Sequence, residues 1–288
     1  GCSSLTSIEL PSGVTSIGEN AFSGCSSLTS IELPSGVTSI GENAFYGCSG
    51  LMSIKLPAGV TSIGKNAFTC CKGLTDIELP AELTSIKSGI FSGCSGLINI
   101  KLPTKATSIE YDAFSECRQL INIEIPAGVT SIGRNAFGNC SSLKNIFVDE
   151  QNQNYSSADG VLFNKEKTEL IRCPGGKAGT YEIPEGVIHI ADDAFNLCDK
   201  LTSIKIPSGV MSIGEYAFLG CSGLTGIDIP LGVTSIGMYA FFDCSGLTGI
   251  EIPIGVTSIE YCAFSGCSGL TSIEIPEGVI NIWGEAFS

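Results

Sequence analysis

Cysteine is abundant in this chain, 14 residues against a single histidine, His189. Cysteine ligates soft metals, forms disulfides or attacks electrophiles as a thiolate. Eleven of the 14 fall in one column: Cys2, Cys25, Cys48, Cys71, Cys94, Cys117 and Cys140, then Cys198, Cys221, Cys244 and Cys267, spaced 23 residues apart within each run. Structural metal sites need clustered ligands about two to four residues apart, which such a ladder does not supply. A disulfide between neighbouring rungs is within the allowed Cα separation. It would pair only alternate rungs, and no rung has a reason to prefer one neighbour. The column therefore reads as a small apolar group at a tight buried position, where free cysteine is common. Cys70, Cys173 and Cys262 lie outside it, and Cys70 is expected at the surface, open to oxidation.

The other groups give no catalytic constellation. His189 lies between Ile188 and Ile190 and is expected to be exposed; without a second histidine there is no paired-histidine metal site. Nothing supports a Ser-His-acid arrangement, and no glycine loop ends in Lys-Ser or Lys-Thr to cradle phosphate. Paired carboxylates at the right separation cleave glycosides, but here the acids belong to a periodic outward column. The chain reads as non-catalytic and without a cofactor. A net charge of -14 opposes nucleic acid and anionic membranes as partners. No apolar run approaches the ~18 residues that span a bilayer.

The elements that must position these groups come from one repeated sentence. Leu28–Gly50 reads LTSIELPSGVTSIGENAFYGCSG, and Leu51–Gly73 reads LMSIKLPAGVTSIGKNAFTCCKG. A 23-residue period running end to end specifies a solenoid. Within a coil, Ile31 and Leu33 share one face of a strand, and Ser30 and Glu32 the other. Pro34 ends the strand, and Ser35-Gly36 turns the chain. Val37 and Ile40 return to the interior in an extended or irregular segment. Glu42-Asn43-Ala44-Phe45 is expected to form one helical turn, with Phe45 and Cys48 on one side of it. The fold class expected is an α/β solenoid of 23-residue coils, with a parallel β-sheet on one face and short helical turns opposite. The chain reads as one solenoid over 1–288. Both ends fall within a repeat, as in a processed form or a piece of a longer protein.

One unit, 143–177, breaks the pattern. Residues 149–160 read as a polar loop. Val161-Leu162-Phe163 and Leu170-Ile171 around Asn164–Glu169 read as a β-hairpin. This irregular unit is either a longer coil that bends or pins the solenoid, the first reading, or a binding protrusion carrying Tyr155, Lys165, Glu166 and Lys167. Asn139 and Asn154 each begin a glycosylation sequon, and Asn154, on the loop, is the better placed.

The outward strand column holds Glu9, Glu32, Lys55, Glu78, Lys101, Glu124, Phe147, Glu182, Lys205, Asp228, Glu251 and Glu274. Like charges stacked across strands repel. Lys55 and Lys101 relieve this, whereas Asp228, Glu251 and Glu274 follow one another. These three are either solvated charges, the first reading, or contacts for a basic or polar partner. Phe147 is either a contact anchor or, as preferred here, covered by the irregular unit.

The unit resembles the leucine-rich repeat, and within it the 23-residue BspA-like, or Treponema pallidum-type, variant. The residues that carry this are Leu28-x-x-Ile31-x-Leu33-Pro34, Val37-x-x-Ile40-Gly41 and Ala44-Phe45-x-x-Cys48. Tyr155-Ser156-Ser157, Asp159–Phe163, Thr168-x-Leu170-Ile171 and Pro174 resemble an irregular unit frequent in that family. The resemblance implies a cell-surface or secreted protein of a host-associated microbe. It also implies a role in adhesion or protein binding and no enzymatic residues. A protein or glycoprotein ligand, bound by a monomer, is the partner expected. The alternative is a non-catalytic spacer or stalk of a larger surface protein.

Overall fold

The alternation Ser30-Ile31-Glu32 folds as its period dictates: Ile31 is buried, and Ser30 and Glu32 are exposed. This stretch pairs in parallel with Ser53–Lys55, in the register Ser30↔Ser53, Ile31↔Ile54 and Glu32↔Lys55. The same 23-residue step joins Asp76–Glu78 to Asn99–Lys101 and Asn122–Ile125 to Asn145–Val148. The computed structural model describes residues 1–288 and divides into two units, Gly1–Asn154 and Tyr155–Ser288, the boundary falling inside the irregular stretch. Each unit is a β-solenoid of coils of about 23 residues.

In the first unit the return segment is a second parallel ladder. Ser16–Ile17, Ser39–Ile40 and Ser62–Ile63 form one run, and Ser85–Ile86, Ser108–Ile109 and Ser131–Ile132 another. Where this ladder turns away, Gly41 lets the coils approach closely: a Cβ there would lie 2.6 Å from the backbone nitrogen of Glu19 on the coil before.

The expected helical turns do not form; the chain makes tandem turns instead. Asn43 has φ 53°, a left-handed conformation that a right-handed helix excludes. The N–H groups alternate in direction. Those of Ala44 and Tyr46 donate back to Gly41 and Asn43, while those of Asn43, Phe45 and Gly47 donate to Lys65, Ala67 and Thr69 at 2.9, 2.8 and 2.7 Å. Stacking takes up donors that a helix would satisfy internally. The architecture is a β-solenoid with two parallel ladders and stacked turns, not an α/β solenoid.

The core columns are those of the repeat. Phe45, Phe68, Phe91 and Phe114 are fully buried, and the rings from Phe22 to Phe137 stack at centroid distances of 5.3 to 5.9 Å. Cysteines from Cys25 onward in the column are buried, and all are free thiols; Cys2 is exposed. From Cys48 onward each thiol of the column has a backbone acceptor. Cys48 Sγ donates to Phe22 O at 3.1 Å, Cys71 to Phe45 O at 3.2 Å and Cys94 to Phe68 O at 3.0 Å. Phe22 O also accepts the N–H of Cys25, so the thiol from the next coil uses that oxygen's second lone pair. Burial pushes the Cys48 thiol up to about 11, which keeps it protonated and unreactive at neutral pH.

The second unit begins with a meander. Val161–Asn164 and Glu169–Arg172 pair antiparallel, the hairpin the sequence indicates. Residues 149–160 are not all loop: Tyr155–Ala158 is a strand, paired from Tyr155↔Asn164 to Ala158↔Val161. The two residues between are Asp159, φ 49°, and Gly160, φ 74°, the paired positive angles of a tight hairpin turn. Glu169–Arg172 then pairs in parallel with His189–Ile190, so the meander extends the second ladder through Ser212–Ile213 and Ser235–Ile236. The first ladder of this unit is Gly179–Glu182, Leu201–Lys205 and Gly226–Asp228, continued by bridges at Ile227↔Ile250 and Glu251↔Glu274.

Candidate binding surfaces

The outward column of the first ladder follows from strand alternation, since every second side chain must leave the core. In the first unit Glu32 faces Lys55 and Glu78 faces Lys101. An open groove of about 940 Å³ runs beside these strands, lined by Leu56, Pro57 and Leu79 together with Glu32, Lys55 and Glu78. Glu124 faces Phe147. Phe147 is not covered, contrary to the preferred reading: its ring is 47% exposed, because strand alternation turns it to solvent beside the equally outward Glu124.

In the second unit Lys205 pairs with Glu182 in an ion bridge and faces Asp228 on its other side. No cation follows. Glu251 and Glu274 face each other directly, and both are exposed. From Ile206 to Ser288 there are eight acidic residues and neither lysine nor arginine.

The meander places its expected contact residues elsewhere. Tyr155 is half-buried opposite Asn164, Lys165 is half-buried, and Glu166 and Lys167 are exposed at the hairpin tip. Asn164 shapes that tip: its Oδ1 accepts the N–H of Glu169 at 3.0 Å and its Nδ2 donates to Thr168 Oγ1 at 2.8 Å. Lys167 takes φ 57°. These residues extend the second ladder, while Asp228, Glu251 and Glu274 belong to the first. The structure therefore presents two separate candidate surfaces in this unit, not one.

Below the meander, Arg172 is buried and donates to the backbone oxygens of Asp193 and Asn196, the latter at 3.1 Å. Cys173 is also buried; its carbonyl lies 3.7 Å from Cys198 Sγ and its N–H donates to Ala194 O, so it stands where the regular coils have phenylalanine. Cys70 is half-buried rather than exposed, and Cys262 is buried, its Sγ 3.6 Å from Glu285 Oε2. His189 is exposed, with Nδ1 2.7 Å from Ser212 Oγ. No group of three or more His, Cys, Asp or Glu is placed to hold a metal ion, and no helix is long and apolar enough to cross a membrane.

One surface escaped the sequence reading. Tyr216 and Tyr239 occupy the position of Asn20, Asn43 and Asn66 and stack at 4.9 Å along the turns of the second unit. Their signal in the sequence is the asparagine column, which they interrupt.

The BspA type leucine rich repeat region matches in six copies, over residues 1–95, 61–175 and 177–288. Among solved structures, the chain is similar to a leucine rich cell surface protein of Faecalibacterium prausnitzii. Identity there is 32% and the TM-score 0.71, over 99% of this chain and 79% of that one. It is similar to a leucine-rich repeat protein of Bacteroides ovatus at 30% identity and TM-score 0.62, over 98% and 69%. The pneumococcal vaccine antigen PcpA superposes with a TM-score of 0.76 at 25% identity, over 95% and 80%. No curated protein matches the chain. With the repeat model covering nearly every residue and a relative of 32% identity aligned over nearly its whole length, the chain belongs to the BspA-type leucine-rich repeat family.

Proposed function

We propose that this chain is a non-catalytic protein-binding module of adhesion type, displayed at a cell surface or secreted, that engages a protein or glycoprotein as a monomer through the outward face of its first ladder. The observation that carries this reading is the run Asp228, Glu251, Glu274, where like charges face one another without a cation between them. Such a run costs stability in the free protein, and a basic partner would offset that cost. Within the first unit, taken by itself, the half-exposed Phe147 is a separate apolar candidate for contact. The cell-surface description of the Faecalibacterium relative supports the location.

An array of matrix proteins and glycoproteins, probed with the full chain, tests this. Wild type should capture a partner that Asp228→Asn/Glu251→Gln/Glu274→Gln loses. Glu166→Ala/Lys167→Ala, at the hairpin tip, should keep it. Loss only in the hairpin variant would move the site to the meander. A stalk that only projects another domain is the second reading, favoured by the charge-compensated column of the first unit. Capture of nothing across the array would leave that reading standing.

A further inference from the structure

Four coils of the first unit place asparagine third in the turn Gly-x-Asn-Ala-Phe, at Asn20, Asn43, Asn66 and Asn135, with φ between 53° and 57°. Asparagine tolerates this left-handed conformation because its short side chain bonds locally. Two successive coils of the second unit put Tyr216 and Tyr239 there instead, with φ 56° and 57°. A bulky side chain in this region strains the backbone. The core does not require the change, since Phe218 and Phe241 lie beneath these turns as buried as Phe45 lies beneath Asn43.

The two tyrosines are the centre of a larger patch. Their rings stack at 4.9 Å and 5°. Tyr261 meets Tyr239 edge-on at 5.4 Å and 69°, and Phe242 tilts against Tyr239 at 5.6 Å. Tyr261 and Met238 are more than a third exposed. Acids border the patch. The Glu285 carboxylate raises the phenol pKa of Tyr261, Asp243 follows Phe242 in the chain, and Glu260 precedes Tyr261. No lysine or arginine lies in residues 206–288 to neutralise them.

We propose that this aromatic edge is a docking site for an arginine- or lysine-bearing segment of a partner protein. A guanidinium stacks on tyrosine faces and is drawn to the ring quadrupole. Asp243, Glu260 and Glu285 supply its counter-charge, and a partner enters a field that is negative throughout. A neutral sugar would also stack on the rings, but it gains nothing from the acids. An anionic partner is repelled by them. The site lies on the turns, away from the first ladder, and stands or falls independently of the function proposed above.

Titration of the full chain with a fluorescent arginine-glycine-serine peptide, in low and moderate salt, tests the site. Tyr216→Asn/Tyr239→Asn restores the residue that other coils use, so its fold should persist, and thermal unfolding no earlier than wild type confirms that. Binding should weaken about tenfold in this variant, the scale of one or two lost cation–π contacts. It should be unchanged in Glu185→Gln/Glu277→Gln, two exposed acids of the Pro-Glu-Gly turns that belong to neither proposed site. Equal affinity of wild type and the tyrosine variant would overturn the proposal, as would equal loss in the Glu185/Glu277 variant, which marks a diffuse charge effect. Absence of peptide binding, or binding of a neutral oligosaccharide in the peptide's place, would overturn it too.

Discussion

The first ladder is written differently on its outward side in the two units. In Gly1–Asn154 acid faces lysine, Glu32 with Lys55 and Glu78 with Lys101. In Tyr155–Ser288 the alternation stops at Lys205, and Asp228, Glu251 and Glu274 continue without a base. The inward sides of the same strands do not differ: Ile31, Ile54 and Ile77 are buried, as are Ile204, Ile227 and Ile250. A coil constrains the residues whose neighbours are other coils. It leaves free those whose neighbour is water, and that is where one unit can differ in function from the other.

The largest expected effect tests the shared side of this comparison. Phe114 is fully buried, between Phe91 at 5.6 Å and Phe137 at 5.9 Å. Phe218 has neighbours at 5.0 Å on both sides, Phe195 and Phe241. Phe114→Ala and Phe218→Ala should each cost about 3–5 kcal/mol in urea denaturation. Loss should concentrate in neighbouring coils, because a solenoid couples mainly to its nearest repeats. A cost below about 1 kcal/mol in either unit would break the claim that both share one core.

A smaller effect separates the regular coils from the place where they stop. Asn152 is fully buried and donates through Nδ2 to Pro126 O at 2.9 Å and Val129 O at 3.0 Å, while its Oδ1 accepts the N–H of Asn154 at 2.9 Å. One side chain thus holds the end of the repeat to the coil before it. Asn152→Ala leaves those backbone groups short of partners and should cost roughly 1–3 kcal/mol, read by the same denaturation series. Substitution of the neighbouring exposed Gln153 by alanine should do almost nothing.

How much of this was legible beforehand follows the same division. The isoleucine, phenylalanine and cysteine columns could be read because burial forces one residue type at each rung. The hairpin at 161–172 could be read from two apolar runs around a polar turn. Glu-Asn-Ala-Phe has helical spacing, so the sequence alone points to a helical turn. The alternative, a left-handed asparagine with its donors spent on the next coil, exists only once coils stack. The strand Tyr155–Ala158 was missed among polar residues although Asp159-Gly160 was its signal. On the surface the sequence identified the acidic run but not whether Phe147 was covered, since exposure depends on three-dimensional neighbours. It also passed over the tyrosines, because they replace a polar residue that the core does not monitor.

Acid sharpens the comparison next. Partial burial of Glu110 opposes its ionisation. Lys87 Nζ at 3.0 Å, Ser85 Oγ at 2.9 Å, and Ser88 Oγ and N–H at 3.0 and 3.1 Å outweigh that and hold its carboxyl down at about 2, against an ordinary 4.5. A carboxyl whose folded value is depressed stabilises the fold above its unfolded value. That contribution is fully present above about pH 4.5 and is lost as pH falls toward 2. Because the pair is partly open to solvent, screening reduces its worth to on the order of 1 kcal/mol. Glu110→Gln should remove this amount at pH 7 and flatten the stability profile between pH 5 and 2, seen by thermal melts across that range.

The smallest effect bears most directly on the outward column. Glu251→Lys would place a cation between Asp228 and Glu274 and give the second unit the alternation of the first. Opposite charges across strands contribute about 0.2–1 kcal/mol each, and like charges cost similar amounts, so this variant should be more stable than wild type at low salt. Added salt should narrow the gap, because it screens the repulsion that the substitution removes. Glu124→Gln, beside Phe147 in the first unit, should move stability by no more than about 0.5 kcal/mol. If Glu251→Lys gains nothing, the three carboxylates are held far enough apart by water that the column is ordinary solvated charge, and the difference between the units carries no cost for a partner to offset. If it gains stability and at the same time loses the partner that wild type captures, the free protein has been giving up stability at the position that binds.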